Sequence, residues 1–305
     1  MANEAHPTFD LVVATVGRSD ELRRLLDSLN AQTYPEFRVL VVDQNDDDRV
    51  SRVISDTEAM FEIVSLRSPR GLSQARNVAL EQLQADIVAF PDDDCVYPPD
   101  LLERVGGRFA TAPSLDGLTG RAADASGRSS PSWPTEANLL TTDSVWNRAI
   151  SFAIFVRRDT VLRVGRFDEA LGLGAPGPWS SGEEIDFVIR AVEAGALIAY
   201  DPELVVTHEH RSYSAQELRE IGTRDGASVG YILGKHRFPA RTLGRMVTRP
   251  IGGVAAALAH GDRAQAAFHF ATEVGRVRGY LSGRRITSSA HEAREHFGMP
   301  IEPRP

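Results

Sequence analysis

A short apolar run that ends in three consecutive aspartates constrains this chain more than any other feature. The run is DIVAFPDDD, at residues 86–94. Apolar runs of this length, bounded by turn residues, are typical of buried strands, and carboxylates at the end of a strand lie where open α/β sheets bind ligands. Three adjacent negative charges repel one another unless a cation neutralises them. The run therefore predicts a site for a divalent metal that in turn holds phosphates.

Strand and helix patterns alternate along the first hundred residues, and this alternation predicts an α/β fold with a mostly parallel sheet flanked by helices. Strands are predicted at 9–15, 38–43, 62–66 and 86–90, and then at 151–156 and 205–208. Residues 111–147 are weakly periodic. The glycine-rich segment 172–179 predicts a mobile loop, and a helix is expected over 182–194, ended by Gly195. From Ala215 the chain reads as helical, with breaks near Pro239, Pro250 and Gly261.

Composition and charge narrow the class of protein. The chain has 305 residues and one cysteine, Cys95, so it forms no internal disulfide and suits a reducing, cytoplasmic compartment. The polar N-terminus is not expected to be a secretory signal, and no apolar stretch is long enough to predict a spanning helix. Residues 1–234 carry 22 Lys and Arg against 37 Asp and Glu, whereas residues 235–305 carry 12 against 5. A basic tail on an acidic body predicts a separate role for the tail, so we divide the chain into a main domain at 1–235 and a helical C-terminal extension at 236–305.

The side chains of the three aspartates are not all expected to point the same way. Alternate residues of an extended segment point the same way, so Asp92 and Asp94 are expected to converge while Asp93 points elsewhere. The alternative is an acidic turn that caps the helix expected after residue 98. His208 or His210, which follow a predicted strand, could complete a metal shell with Asp94, because imidazole and carboxylate together suit Mn²⁺. A strand-end histidine with a purely structural role is the alternative.

Two further polar residues are candidates for nucleotide binding. Asp43 ends the second predicted strand at the same edge of the sheet, where it could accept a hydrogen bond from a base or ribose. Arg76 lies one turn into a helix that opens at Gly71, where a guanidinium group would suit a diphosphate or a base. A surface salt bridge is the alternative for Arg76.

The segment after the glycine-rich loop carries candidate residues for acid–base chemistry. A carboxylate beside a loop able to close, as Glu183 and Glu184 are, is suited to act as a general base. The alternative is that both glutamates complement the helix dipole. Asp186 and Arg190 are four residues apart and could form an intrahelical ion pair.

Taken in order, these segments resemble the family-two glycosyltransferases, which have the GT-A fold. The resemblance covers roughly residues 8–235. The segments that carry it are VVATVGRSDELRRLLDSLNAQTYPEFRVLVVDQN, RGLSQARNVAL, DIVAFPDDDCVYPPDLL, FDEALG, SGEEIDFVIRAVEAG and VVTHEHRS.

The resemblance implies roles for residues of this chain. The residues expected to bind the donor nucleotide are Thr15, Gly17, Arg18, Asp43, Arg76, Asp92 and Asp93. The family's D-x-D motif corresponds to Asp92-Asp93-Asp94, with Asp94 on a divalent metal (Mn²⁺ or Mg²⁺) and Asp92 nearer the ribose and sugar. Its Glu-Asp pair corresponds to Glu183-Glu184, where glutamate replaces the aspartate proposed as the base. His208 matches a histidine that some members use on the metal or diphosphate, and His210 is the alternative to it. Trp179, Asp186 and His210 are placed on the substrate side, where Trp179 could stack on a sugar ring.

The activity implied is inverting transfer of a sugar from a nucleotide-diphosphate donor to an acceptor hydroxyl, in cell-surface polysaccharide or glycolipid assembly. A nucleotidyltransferase that makes nucleotide sugars is the first alternative, but the loop after the first strand has one glycine rather than a glycine-rich phosphate loop. A non-catalytic nucleotide-sugar-binding protein is the second. No nucleic-acid partner is expected. The basic tail, with Arg237, Arg241, Arg245 and Arg249 at four-residue spacing, could contact anionic lipid, cap the core or form a homodimer.

Overall fold

The computed structural model describes residues 6–129, 133–209 and 213–296, with side chains up to residue 285. It divides into two compact units. The first comprises Met1–Glu169 and Glu184–His210, and the second comprises Ala170–Glu183 and Arg211–Pro305. The domain boundary that the sequence predicts after residue 235 stays a prediction. His210 lies outside the described residues.

The first unit is built on one mixed sheet, to which nine strands of the described residues contribute. They are β1 (Phe9–Thr15), β2 (Phe37–Asp43), β3 (Glu62–Arg67), β4 (Ile87–Ala89), β5 (Cys95–Val96), β6 (Gly117–Ala123), β7 (Asn138–Leu139), β8 (Ile154–Arg157) and β9 (Ile198–His208). The spatial order is β3-β2-β1-β4-β8-β6-β9-β5, with β7 also paired to β9. The first four strands are parallel, and β8 joins them antiparallel to β4.

Helices connect and cover these strands. They are α1 (Asp20–Asn30), α2 (Arg49–Asp56), α3 (Leu72–Leu80), α4 (Leu101–Thr111), α5 (Arg158–Val164) and α6 (Glu183–Glu193). In α1 the leucines at 22, 25, 26 and 29 are buried, as their helical spacing requires. They pack with the alternate residues Phe9, Leu11 and Val13 of β1, which share one face of the sheet.

The sequence patterns located most of these elements. The strands predicted at 9–15, 38–43 and 62–66 match β1, β2 and β3 to within one residue at either end. Gly195 ends α6 with φ of 82°, a conformation that favours glycine. Two differences have physical reasons. Residues 151–153 form a 3₁₀ turn before β8 rather than a strand, and β6 lies within the weakly periodic segment because both its faces are buried, which removes the alternation.

The second unit contains three long helices, α7 (Ala215–Lys235), α8 (Ala240–Ala259) and α9 (Arg263–His296). Ser214 and Glu217 form a capping box at the start of α7. Glycines recur every four residues on the facing sides of two helices, at 222, 226, 230 and 234 of α7 and at 275, 279 and 283 of α9. A Cβ atom on any of these seven glycines would collide with backbone of the other helix. The glycines therefore allow α7 and α9 to approach at backbone distance.

The predicted break at Pro250 is wrong, because α8 continues through it. A proline inside a helix removes the amide donor to the carbonyl four residues earlier, here that of Met246. The Arg276 guanidinium of α9 donates to that Met246 carbonyl oxygen. The neighbouring helix thus replaces the missing hydrogen bond. The predicted breaks near Pro239 and Gly261 are confirmed, since they separate α7, α8 and α9. Within the described residues, no helix combines the length and apolar character needed to cross a bilayer.

Candidate functional site

The candidate site lies at the carboxyl ends of the parallel strands. Because β1 and β2 pair in parallel with Thr15 opposite Asp43, both residues reach the same edge of the sheet. Strand β4 pairs with the other side of β1, so residues 90–94, which follow β4, emerge at that edge as well. The sheet topology thus gathers residues that are up to about eighty positions apart in the sequence.

Asp92, Asp94 and His208 form a cluster whose candidate ligand atoms all lie within 4.8 Å of one another. Strand pairing explains their meeting, since β5 runs antiparallel to β9 with Cys95 opposite His208. Asp94 therefore lies beside the histidine, and its Oδ1 is 3.2 Å from His208 Nε2. All three side chains are half-buried.

Asp93 points away from this cluster and is buried. It accepts hydrogen bonds from Thr15 Oγ1 at 2.7 Å and from Arg18 Nη1 at 2.6 Å. The same Arg18 nitrogen lies 2.6 Å from Asp94 Oδ2. Arg18 therefore bridges two of the three aspartates and offsets part of their mutual repulsion.

The ionisation of these groups reflects burial set against pairing. Burial raises the pKa of Asp94, but the hydrogen bond with His208 and the charge of Arg18 outweigh burial, so its pKa lies below the ordinary value. The hydrogen bond with Asp94 raises the pKa of His208, against the opposing effect of burial. Burial also raises the pKa of Asp93, and Thr15 and Arg18 offset this only in part. Asp94 is thus held as a carboxylate, which is the form that binds cations.

Asp92 is oriented by two donors. Ser151 Oγ donates to Asp92 Oδ1 at 2.9 Å, and Arg76 Nη2 donates to the same oxygen at 3.3 Å. Arg76 is fully buried, and its guanidinium carbon lies 5.7 Å from the centre of the Phe90 ring. The alternative of a surface salt bridge for Arg76 is therefore wrong, because the side chain is inside the protein.

The sequence reasoning missed the turn at Ser151 and Phe152. Phe152 stacks on the His208 imidazole, with ring centres 5.0 Å apart and planes 1° apart. The turn thus holds two members of the cluster in place: Ser151 bonds to Asp92, and Phe152 packs on His208. Neither residue type predicts such a role from its position beside an apolar run.

Asp43 is buried and held by groups that the sequence analysis also missed. Its Oδ1 accepts from the backbone and side-chain nitrogens of Asn45, at 2.9 and 2.8 Å. Its Oδ2 lies 3.0 Å from Arg67 Nη1. Asn45 also accepts from the backbone N–H of Gly17, at 2.7 Å, and so ties the loop after β1 to the end of β2.

The carboxylates of α6 differ in exposure. Glu183 is 4% exposed, whereas Glu184 is half-buried. Asp186 is buried and pairs with Arg190 Nε at 2.9 Å, the ion pair that its spacing predicted. Arg190 also donates to the carbonyl oxygens of Val164 and Arg166. Through Arg190, Asp186 therefore helps to hold α6 against residues 164–166. A role for Asp186 in substrate binding stays a prediction.

Trp179 belongs to the second unit. Its ring stacks on Tyr231 of α7, with centres 5.1 Å apart and planes inclined by 15°. It also lines a cavity of about 1080 Å³. The other lining residues are Pro178, Ala215, Gln216, Arg219, Glu220, Thr223, Arg224, Ala227, Gly275 and Arg278.

The residues of the cluster fit a hard divalent cation. Two carboxylates and one imidazole supply oxygen and nitrogen atoms, the donor set that suits Mn²⁺, and the carboxylates alone suit Mg²⁺. Ser151 and Arg76 orient Asp92, while Phe152 fixes the plane of His208. Such outer contacts orient metal ligands in known sites.

The chain resembles known proteins in sequence. The profile of Glycosyl transferase family 2 matches residues 10–161, which include the strand ends and the aspartate triplet. Glycosyltransferase AglE of Haloferax volcanii is 25% identical over 217 residues, which cover 68% of each chain. Succinoglycan biosynthesis protein ExoM of Rhizobium meliloti is 32% identical over 213 residues, or 66% of each chain. The chain thus spans about two thirds of these relatives.

A solved structure shows the same fold over nearly the whole chain. Mannosyltransferase PcManGT from Pyrobaculum calidifontis, in complex with GDP-Man and Mn²⁺, aligns with a TM-score of 0.59 at 16% identity and covers 97% of this chain and 88% of its own. This likeness confirms the predicted GT-A fold. The family profile and the sequence relatives show that the chain belongs to glycosyltransferase family 2.

Proposed function

We propose that the protein is an inverting, metal-dependent glycosyltransferase that moves a sugar from a nucleoside diphosphate to an acceptor hydroxyl. The observation that carries this proposal is the convergence of Asp92, Asp94 and His208 at the carboxyl ends of the parallel strands. The mannosyltransferase of the same fold was solved with GDP-Man and Mn²⁺, which supports a donor and a metal of these classes.

The donor side of the proposal assigns the residues around the cluster. Asp43, held by Asn45 and Arg67, accepts a hydrogen bond from the ribose or base. Thr15, Gly17 and Arg18 form the loop against which the nucleotide lies, and Asp93 fixes that loop through Thr15 and Arg18. Arg76 positions Asp92 towards the ribose and sugar.

Asp92, Asp94 and His208 would hold the divalent ion, which when bound offsets the negative charge of the diphosphate. Arg18, beside Asp94, adds a fixed positive charge at the same place. A half-buried cationic group near a leaving group stabilises the negative charge that develops there.

The transfer itself requires a base for the acceptor. Glu184 takes the proton from the acceptor hydroxyl while the oxygen forms a bond to the anomeric carbon. The bond from that carbon to the diphosphate oxygen breaks, and the electron pair leaves with the diphosphate. One displacement inverts the anomeric configuration. Glu184 is assigned rather than Glu183 because its side chain is half-buried, whereas Glu183 is almost wholly enclosed.

The acceptor side is assigned to the second unit. The cavity of about 1080 Å³ offers one face of the Trp179 ring, and Tyr231 holds that ring in place. Flat aromatic faces pack against the C–H surface of sugars through apolar contact. The acceptor is a glycan or a lipid-linked glycan, and the protein works in the cytoplasm in polysaccharide or glycolipid assembly. The name of its relative ExoM, a succinoglycan biosynthesis protein, supports this setting.

A donor screen tests the proposal. Thermal unfolding is measured with UDP-, GDP- and dTDP-sugars, with and without Mn²⁺. We expect one donor to raise the unfolding temperature, and only when the metal is present, because binding to the folded state stabilises it. Hydrolysis or transfer of that donor is then followed by NMR, where an inverted anomer is expected. A retained anomer would contradict the single displacement, and no stabilisation by any donor would contradict the proposed donor site.

A further inference from the structure

Helices α8 and α9 each carry a row of apolar side chains along one face. On α8 the row is Leu243, Val247, Ile251, Val254 and Leu258, and on α9 it is Phe270, Val274, Val277 and Leu281. Spacings of three and four residues keep each row on one side of its helix. None of these nine side chains is buried, and Ile251, Phe270 and Leu281 are 54%, 64% and 55% exposed. We refer to the two rows together as the apolar face.

The apolar face is distinct from the surfaces that hold the helices together. Met246 and Gly253 of α8 face α9, where they contact Arg276 and His269. The glycines of α9 face α7. On each helix the apolar row is turned by about a quarter turn or more from these contacts. The helices α8 and α9 are antiparallel and form a helical hairpin. Because of this arrangement, both apolar rows lie on the same side of the hairpin, away from α7.

The helices that carry this face are strongly basic. Between residues 240 and 285 there are eight arginines and only two acidic residues, Asp262 and Glu273. Four of these arginines lie on α9 within about a quarter turn of its apolar row, namely Arg263, Arg278, Arg284 and Arg285. Arg263 and Arg285 extend the row of α9 at its two ends, at spacings of seven and four residues from Phe270 and Leu281. Both arginines are exposed. An apolar strip flanked by arginines is complementary to a bilayer with anionic head groups, which takes up apolar side chains and attracts cations.

We propose that α8 and α9 dock this apolar face on an anionic lipid surface, with the helices lying in the plane of the head groups. A second copy of the chain fits the same face less well, because a symmetric contact would bring the arginines of both copies together. The proposal is independent of the transfer chemistry, since these helices carry none of the residues assigned to the donor or to the base. It places the protein where a lipid-linked acceptor would be found.

Co-sedimentation of the full chain with vesicles tests this proposal. One set of vesicles is phosphatidylcholine alone, and the other contains about one third phosphatidylglycerol. We expect binding to the anionic set. The partition coefficient should be on the order of tenfold lower for Phe270→Ser and for Ile251→Ser, because each variant loses an apolar side chain that the bilayer would bury. Arg263→Gln with Arg285→Gln should lower binding to the anionic set by roughly fivefold per charge.

Leu162→Ser is the matched control, because Leu162 is 60% exposed on α5 in the other unit. It should leave vesicle binding unchanged. Unfolding temperatures and donor binding of all variants are measured alongside, so that loss of lipid binding is separated from misfolding and from failure of the proposed function. Equal binding to both vesicle sets, or binding unaffected by Phe270→Ser, would overturn the proposal. So would a dimer in lipid-free solution that Phe270→Ser converts to a monomer without any effect on vesicle binding.

Discussion

At the scale of single residues, Asp94 connects most of the site. One oxygen lies beside the His208 imidazole and the other beside the Arg18 guanidinium. These partners keep the pKa of Asp94 low in spite of burial. The carboxylate is thus available to a cation at neutral pH without first losing a proton.

Replacing Asp94 tests this role. Asp94→Ala is expected to weaken Mn²⁺ affinity by roughly 10- to 100-fold or more, since it removes one of three candidate ligands. Free Mn²⁺ is measured by electron paramagnetic resonance during a titration. Asp46→Ala is the control, because Asp46 is an exposed acidic residue outside the cluster. Equal Mn²⁺ affinity in the two variants would contradict the assignment.

Variants of the two glutamates at the start of α6 test which of them is the base. Glu184→Gln is expected to lower kcat by about 10²- to 10⁴-fold while leaving the Kd of the donor unchanged, as removal of a general base does. Glu183→Gln is expected to act mainly on thermal stability, because the side chain is enclosed. If Glu183→Gln abolished transfer and Glu184→Gln did not, the base would be Glu183.

At the scale of helices and strands, glycine spacing determines how the second unit packs. Gly279→Ala would place a Cβ against the carbonyl oxygen of Ala227 on α7. We expect it to lower the free energy of unfolding by about 2 kcal/mol, as overpacking does. Gly244→Ala is the matched change on α8, where a Cβ meets open space. It should raise stability by up to about 1 kcal/mol through helix propensity. Thermal unfolding compares them, and equal effects would refute the close packing of α7 and α9.

The bond between Arg276 and the Met246 carbonyl gives a prediction about Pro250. Arg276→Ala is expected to destabilise by about 1–3 kcal/mol, because a carbonyl group then loses its donor. Pro250→Ala supplies an amide donor from within α8, so the loss on Arg276→Ala should be smaller in that background. A double-mutant cycle measures the coupling. Strictly additive effects would show that the arginine does not compensate for the proline.

These elements also show what sequence patterns could predict. The strand ends and the start of α6 were located because apolar runs and helix signals are local. The contacts of Ser151 and Phe152 with Asp92 and His208 arise because β8 pairs with β4 on one side and with β6 on the other, and β6 in turn pairs with β9. No local pattern records these pairings. Continuation of α8 through Pro250 likewise depends on an arginine twenty-six positions away.

At the scale of the whole molecule, the charge asymmetry acquires a structural meaning. The acidic residues of the first unit include the cluster at the strand ends, whereas the charged residues of α8 and α9 are mainly arginines, four of which lie beside the apolar row of α9. The sequence located the basic tail, but the structure shows that its apolar residues lie on two faces of α8. Ile251 is exposed, whereas Met246 is buried where α8 faces α9. Helical spacing alone does not tell which of two apolar faces a neighbour covers.

Metal-dependent binding of a nucleoside-diphosphate sugar tests the central claim most directly. Isothermal titration calorimetry measures the Kd of the donor chosen by the thermal screen, first with Mn²⁺ and then after chelation. Because Asp92, Asp94 and His208 are assigned to the metal that holds the diphosphate, we expect chelation to raise the Kd at least tenfold, or by about 1.4 kcal/mol. Equal affinity with and without metal would contradict the account.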